Sequence, residues 1–289
     1  MKVVITGAEG FIGSNFFKYL KSRNYDVTGI DKVGNSEVSQ IDIKDYISLS
    51  KFLNDTQPDI VVHLAANAYP ALCEKNNQSC FEDNVLGTLN IARISRELKY
   101  KIVFASSAAV YGEPRKTPIS TTDDVHPTNF YGLTKAIGEQ LIRFYSENYV
   151  IFRIFNVYGE GCNRSYVIPD TIRQIYANEN PIRKMGTGTE LRDFVYIEDV
   201  CRVFETAIGR NEIGTFNVGT GHSISIKDLV DKILDIMRET GREVEFAGTK
   251  RTGDINTLIA DVSGGNIYPR WAPKFDLTTG LKKTIASYR

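Results

Sequence analysis

Short apolar runs alternate with longer amphipathic stretches through the first half of this chain. Residues 2–6, 26–30, 60–64, 101–106 and 149–155 are rich in Val, Ile, Leu and Phe. Apolar runs this short predict strands buried on both faces. Between them, residues 12–22, 48–54, 80–98 and 129–147 carry apolar side chains at helical spacing and predict helices. Strand–helix alternation of this kind implies an α/β fold with a parallel, doubly wound sheet.

Past residue 155 the pattern loosens, with Gly, Pro and Asn punctuating 159–163, 178–181 and 186–189. Short strands are predicted at 215–218 and 243–246, and a helix at 226–238 from Leu229, Val230, Ile233, Leu234 and Met237. No repeat or flexible linker separates the two parts. The division expected is 1–156 for a cofactor domain and 157–289 for a smaller C-terminal α/β substrate-binding cap, with some later segments returning to the first.

The 289 residues are 42% apolar, enough for a sizeable core. Lys plus Arg equals Asp plus Glu, 35 each, so bulk charge gives no case for nucleic acid or an anionic membrane. No apolar run approaches the ~20 residues of a membrane span, and Met1-Lys2-Val3-Val4-Ile5 runs straight into glycines, unlike a signal peptide. Cys73, Cys80, Cys162 and Cys201 form no CxxC pair and read as thiols of a reducing compartment. With only His63, His126 and His222 available, no metal site is expected. The expected location is cytoplasmic.

Gly7-Ala8-Glu9-Gly10-Phe11-Ile12-Gly13 follows the first strand and opens the first helix. Glycine there permits a tight turn and close backbone approach, and the helix N-terminus offers N–H groups to a diphosphate. The spacing, GxxGxxG, is a variant of the GxGxxG dinucleotide fingerprint of the Rossmann fold. Asp31 ends the second strand, where a carboxylate accepts both ribose hydroxyls and repels a 2′-phosphate, favouring NAD over NADP.

Tyr131-Gly132-Leu133-Thr134-Lys135 puts a phenol and an ammonium four residues apart, on one helix face. A free tyrosine titrates near ~10. A neighbouring cation favours the phenolate and makes the tyrosine a usable acid/base. Ser106-Ser107 ends a predicted central strand, the edge where open α/β sheets bind ligands.

With these residues the chain resembles the extended short-chain dehydrogenase/reductase family, in its NAD-dependent epimerase/dehydratase branch. The resemblance runs nearly end to end. Its carriers are the glycine loop, Asp31, Asp42-Ile43, His63-Leu64-Ala65-Ala66, Asn84, Ser107-Ala108-Ala109-Val110-Tyr111-Gly112 and Tyr131 to Lys135. Arg153-Ile154-Phe155-Asn156-Val157-Tyr158-Gly159 and Arg192-Asp193-Phe194-Val195-Tyr196 through Val200 follow in order.

The resemblance implies that Tyr131 is the acid/base at a sugar 4-hydroxyl and that Ser107 bonds the same oxygen. It implies that Lys135 holds the nicotinamide ribose and lowers the tyrosine pKa. Gly7, Gly10, Phe11, Ile12 and Gly13 are implied dinucleotide contacts, as are Leu64, Ala65, Ala66 and Asn84, with Asp42 and Ile43 flanking the adenine. Asn156, Arg192 and Arg251 are implied grips on a nucleotide-sugar diphosphate, and Asp254 a contact to its ribose. For Arg192 a pairing with Asp193 is also open, and for Arg251 a solvated surface position. His63 reads as a structural strand-end residue. The stretch between Asp31 and Asp42 is shorter than in relatives, and Tyr69-Pro70-Ala71 departs from the family pattern.

Dehydratases of this branch carry an Asp-Glu pair after the active-site Ser or Thr, and decarboxylases a glutamate; here stand Ala108 and Ala109. The expected activity is therefore NAD-dependent 4-epimerisation of a UDP-hexose through a transient 4-keto sugar. A nucleotide-linked 4-keto-sugar reductase and a non-catalytic NAD-binding scaffold are the alternatives. Residues 84–98 and 129–147 are apolar around more than one face, and with the family pattern they imply a homodimer.

Overall fold

Alternate residues of each central strand point to opposite faces of one sheet. Val3, Ile5, Val62, Val103, Val150 and Phe152 face one side, and Val4, Val61, Ile102, Phe104 and Ile151 the other. This computed structural model describes residues 1–162, 166–249 and 253–288. Its strands are β1 (Lys2–Thr6), β2 (Asp26–Asp31), β3 (Val38–Gln40), β4 (Ile60–His63), β5 (Lys101–Ser107), β6 (Tyr149–Ile154), β7 (Asn156–Tyr158), β8 (Ile182–Lys184), β9 (Leu191–Tyr196), β10 (Gly214–Val218), β11 (Ser223–Ser225), β12 (Val244–Phe246) and β13 (Thr257–Leu258). Its α-helices are α1 (Phe11–Ser22), α2 (Tyr46–Thr56), α3 (Pro70–Lys75), α4 (Asn77–Phe81), α5 (Gly87–Leu98), α6 (Phe130–Tyr145), α7 (Val167–Tyr176), α8 (Ile197–Ile208), α9 (Ile226–Met237) and α10 (Leu277–Ala286).

Seven strands form the main sheet in the order β10-β6-β5-β4-β1-β2-β3, and every pair is parallel. Phe16 and Leu20 of α1 and Phe204 of α8 cover one face. Leu49 and Leu53 of α2, Ile91 and Ile94 of α5 and Ile142 of α6 cover the other. This is the doubly wound Rossmann architecture the alternation implies. The chain crosses back late: β10 pairs with β6, and α8 packs on the main sheet. Beyond it, β11, β13 and β7 all pair with β9, and β12 pairs with β8.

Two expectations are corrected. The single helix read at 80–98 is α4, one π-helical turn at Glu82–Leu86, and α5. The wider turn carries Asn84, whose amide bonds both the N–H (2.7 Å) and the carbonyl (3.1 Å) of Asn67 and the Thr134 hydroxyl (2.9 Å). A period of 3.6 does not register such an insertion. The four thiols are also corrected, because Cys73 and Cys80 are joined in a disulfide with a Cα–Cα distance of 5.1 Å. Helix α3 ends and α4 begins at Asn76, whose side chain caps α4 through the Ser79 N–H at 3.0 Å. The two short helices thereby meet across a separation that a CxxC search does not reach. Cys162 and Cys201 are buried thiols. Among the described residues no helix is long and apolar enough to cross a membrane.

The C-terminal part is held by buried carboxylates that take backbone N–H groups from distant segments. Asp193 accepts from Thr220 N (2.8 Å), Gly221 N (2.9 Å) and Ala260 N (3.2 Å). Asp199 accepts from Lys274 N (2.9 Å) and Phe275 N (3.0 Å). Leaving a buried donor unpaired costs ~1–3 kcal/mol. Asp193→Ala strands one buried donor, Ala260 N, and two partly buried ones, Thr220 N and Gly221 N, so a stability loss of about 1–3 kcal/mol or more is expected in urea unfolding; a loss below about 1 kcal/mol would show that these bonds do not hold the region together.

Candidate active site

The carboxyl ends of the central strands open onto a cavity of about 1250 Å³. On its dinucleotide side the chain turns at Gly7, with φ +71°, and the Gly10 N–H donates to the Gly7 carbonyl at 3.0 Å. Gly10 is then the N-cap of α1, and no side chain caps that helix. A Cβ on Gly13 would overlap the Gly7 carbonyl, so the loop closes on itself only with glycine there. Uncapped N–H groups at a helix N-terminus, reached over bare backbone, suit a diphosphate, and the cradle fits a dinucleotide.

Gly7, Gly10, Phe11, Ile12 and Gly13 line the cavity together with Leu64, Ala66, Ser107, Tyr131, Lys135, Asn156, Arg192 and Asp254. The remaining described candidates stand back from its wall. Asp31 lies beside the glycine loop and accepts from Glu9 N (3.1 Å) and Val33 N (3.2 Å). Asp42 takes the Lys44 N–H at 2.9 Å. Ile43 is buried against Gly87, and the Ala65 N–H donates to the Thr6 hydroxyl at 3.2 Å. Asn84 sits behind the wall, tying the segment after β4 to α6. Arg251 lies outside the described residues.

Two consecutive residues of β5 bond to α6 and the next faces the cavity. The Ala105 carbonyl accepts from Lys135 Nζ at 2.8 Å, the Ser106 hydroxyl donates to Glu139 Oε1 at 2.6 Å, and Ser107 reaches the cavity. Ser107 Oγ also accepts from Ala109 N at 3.1 Å, starting a 3-10 turn over Ala108–Tyr111. Tyr131 is buried against Cys73 and Cys80. The Lys135 ammonium lies 4.8 Å above the Phe104 ring. Burial pushes its pKa down to about 7, opposed by the charge of Glu139. His63 is fully buried between the Thr6 (2.8 Å) and Thr88 (2.9 Å) hydroxyls. Burial, then the Lys135 charge, drives its pKa down to about 3, so it stays neutral and structural.

Arg192 does not pair with Asp193. Its guanidinium donates to the carbonyls of Leu191 (2.9 Å), Asn256 (3.1 Å) and Ile255 (2.6 Å), while Asp193 is occupied by backbone N–H groups. Asn156 Oδ1 is buried on this wall without a hydrogen-bond partner. An orphaned acceptor in a cavity is costly unless a ligand supplies a donor.

Sequence reasoning missed several wall residues. The Tyr69 and Tyr166 rings meet edge to face at 5.5 Å, and the Tyr166 hydroxyl donates to the Ala68 carbonyl at 2.8 Å. Asp170 and Lys184 form an ion pair on the far wall. Of these, the Tyr69-Pro70-Ala71 departure was the one signal in the sequence. Glu74, also on the wall, accepts from Phe130 N at 2.6 Å. Glu113 accepts from Asn256 N at 2.7 Å.

Known proteins resemble this chain throughout. A model of the NAD dependent epimerase/dehydratase family matches residues 3–219. A Methanocaldococcus jannaschii protein that bears the provisional name UDP-glucose 4-epimerase is 35% identical over 98% of this chain and 97% of its own. The Thermotoga maritima UDP-glucose 4-epimerase with UDP-glucose is 27% identical and superposes with a TM-score of 0.91 over 100% of this chain and 98% of its own. A Bacillus cereus UDP-glucuronic acid 4-epimerase, solved with a fluorinated UDP-sugar and NAD, is 30% identical with a TM-score of 0.90, over 99% and 98% of the two chains.

Proposed function

Because the chain belongs to the NAD-dependent epimerase/dehydratase family, we propose that it interconverts the 4-epimers of a UDP-hexose of the glucose/galactose type. The observation that carries this reading is the cavity wall itself, where Ser107, Tyr131 and Lys135 converge and the turn after Ser107 holds Ala108 and Ala109 instead of carboxylates. Held by the glycine loop, a bound NAD would supply the reversible hydride acceptance that oxidation and reduction at C4 of the sugar require.

The protein's own work is proton transfer and positioning. Tyr131 takes the 4-hydroxyl proton as the sugar is oxidised and returns it on reduction, and Ser107 hydrogen-bonds the same oxygen. The Lys135 ammonium favours the phenolate and holds the nicotinamide ribose. Asp31 accepts the adenosine ribose hydroxyls, which favours NAD over NADP, with Asp42, Ile43, Ala65 and Asn84 supporting the adenine side. Arg192, aimed by three carbonyls, grips the diphosphate with Asn156 and Arg251, and Asp254 takes the substrate ribose. Residues 1–156 are thus read as the cofactor domain, which also supplies Ser107, Tyr131 and Asn156 to the sugar, and 157–289 as the nucleotide-sugar-binding part, from which β10 and α8 return to the main sheet. Water elimination needs both an acid and a base at the sugar. Among the described residues, Glu74 is engaged with the N-terminus of α6 and Glu113 with Asn256, which speaks against either acting as the missing acid or base beside Ser107.

The dimer reading has its own support. Ile91, Ile94 and Ile142 are buried under the sheet, while Leu86, Leu133 and Phe144 remain 37%, 42% and 70% exposed. These outer residues of α5, its preceding turn and α6 suit a second copy.

Three outcomes are expected. NMR should show UDP-glucose and UDP-galactose interconverting without added NAD; a 6-deoxy methyl signal would make the enzyme a dehydratase, and conversion only of a 4-keto sugar with added NAD(P)H a reductase. Tyr131→Phe should keep its fold and lose about a hundredfold or more in kcat, and near-normal turnover would remove Tyr131 from the acid/base role. Light scattering at micromolar concentration should give a dimer mass, with a monomer counting against the outer face of α5 and α6 as an interface.

A further inference from the structure

Tyr131, Lys135 and Glu139 recur every four residues along α6 and therefore share one face. All three are buried, yet the proposed reaction uses only the first two. Glu139 is not simply tolerated in the interior. Ser106 Oγ donates to its Oε1 at 2.6 Å, Arg153 Nε to the same oxygen at 2.9 Å, Arg153 Nη2 to Oε2 at 2.8 Å, and Arg143 Nη2 to Oε2 at 3.0 Å. Burial works to raise its pKa, but the bonds from Arg153 and Ser106 hold the carboxyl below its ordinary value. A carboxylate is thus kept ionised deep in the protein, one helical turn beyond Lys135.

Among the described residues, the surroundings of Lys135 offer little else to keep it charged. From β4 comes His63, neutral between two threonines. From β5 come the Phe104 ring and the Ala105 carbonyl, and from α5 Thr88, bound to His63. Tyr131 lies one turn back on α6. On the far side of Glu139 stand Arg143 and Arg153, the latter 4.8 Å over the Tyr111 ring; both are cations and cannot favour another. Glu139 is the anion whose charge acts on Lys135.

We propose that Glu139 is a positioning residue of the reaction, its carboxylate caged by Ser106 and Arg153 so that Lys135 stays in the ammonium form that Tyr131 needs. This rests on the reading of Tyr131 and Lys135 as the proton-transfer pair. In that reading the rate rises with pH as Tyr131 loses its proton and falls as Lys135 loses its own. Removing the Glu139 charge weakens the ammonium, so the descending limb moves to lower pH and the ascending limb does not follow it. Damage to packing alone would lower the rate at every pH and leave both limbs where they were.

The test is the pH profile of kcat for the purified protein with its bound NAD, in Glu139→Gln and Glu139→Asp. Gln keeps the size of the side chain and part of its cage, and its descending limb should fall by about one unit or more. Asp keeps the charge and should restore the limb to within about half a unit of wild type. A second readout needs no turnover: the ultraviolet phenolate absorbance of each chain, minus that of the same chain carrying Tyr131→Phe, should appear at higher pH in Glu139→Gln. An unmoved limb and an unmoved phenolate in Glu139→Gln overturn the proposal. So does a limb that falls as far in Glu139→Asp, which stands as the test if the Gln chain does not fold. Near-normal turnover in Tyr131→Phe would remove the proton-transfer pair itself, whereas an inactive Tyr131→Phe with an unmoved limb in Glu139→Gln removes only the role of Glu139.

Discussion

The close approach of α6 to the turn after β5 is the constraint on which the site depends. A Cβ on Gly132 would run into the Ala109 carbonyl, so only glycine lets the first turn of the helix lie against that backbone. The same turn is held from two other directions. Asn129 caps it through the Gly132 N–H at 2.8 Å and reaches the Gly253 carbonyl at 3.2 Å, and Glu74 of α3 takes the Phe130 N–H at 2.6 Å. Tyr131 is therefore fixed at the N-terminal end of a helix, where the helix dipole adds to the cation one turn away in favouring a phenolate. The disulfide between α3 and α4 packs behind it. Asn84, on the π-helical turn, binds the same helix through Thr134.

Once α6 is seated, β5 supplies the chemistry in register. A strand sends successive side chains to opposite faces, so Ser106 turns back to the buried Glu139 while Ser107 turns to the cavity. The carbonyl between Phe104 and Ser106 is left for the Lys135 ammonium. A buried charge is tolerated only when it is paired or hydrogen-bonded. Lys135 has one carbonyl and one ring face, whereas Glu139 has a hydroxyl and two guanidinium groups. The cluster is thus more heavily hydrogen-bonded at its anion than at its cation, which suits the role proposed for Lys135 at a ligand's ribose.

Much of this was legible in the sequence, for physical reasons that can be named. Apolar strands covered on both faces announce a parallel sheet, and a glycine loop between strand and helix announces its ligand edge. Tyr131 and Lys135 were readable because a spacing of four fixes a common face. Glu139 continues the same spacing but went unread, since a buried glutamate and a solvated one look alike until β6 brings Arg153 across. The Cys73–Cys80 pair depends on a helix break at Asn76 that periodicity does not report. The π-helical turn at Asn84 hides inside an apolar pattern that reads as one helix. The pairing of β10 with β6 is a long-range contact, and a five-residue strand after a loosely patterned stretch does not declare which sheet it joins. Arg192 stood beside a carboxylate in the sequence, yet a strand turns neighbours to opposite faces, so Asp193 went to the buried backbone donors and Arg192 to the cavity.

The alanines after Ser107 bear on more than the absence of an elimination pair. A carboxylate at Ala108 or Ala109 would add a negative charge to the turn on which α6 rests, close to Tyr131. A like charge beside a forming phenolate raises the tyrosine pKa, and a nearby cation lowers it. An enzyme with carboxylates at this turn must offset them with further positive charge or accept a weaker base. Here the turn over Ala108–Tyr111 is neutral and its backbone packs directly against Gly132, so the turn itself adds no negative charge against the field that Lys135 and the helix N-terminus set at Tyr131. That is the electrostatic arrangement suited to taking a proton from a sugar hydroxyl and returning it to the same oxygen. It also explains why the one buried anion of the cluster stands behind Lys135, where it supports the cation while remaining two helical turns from the phenol.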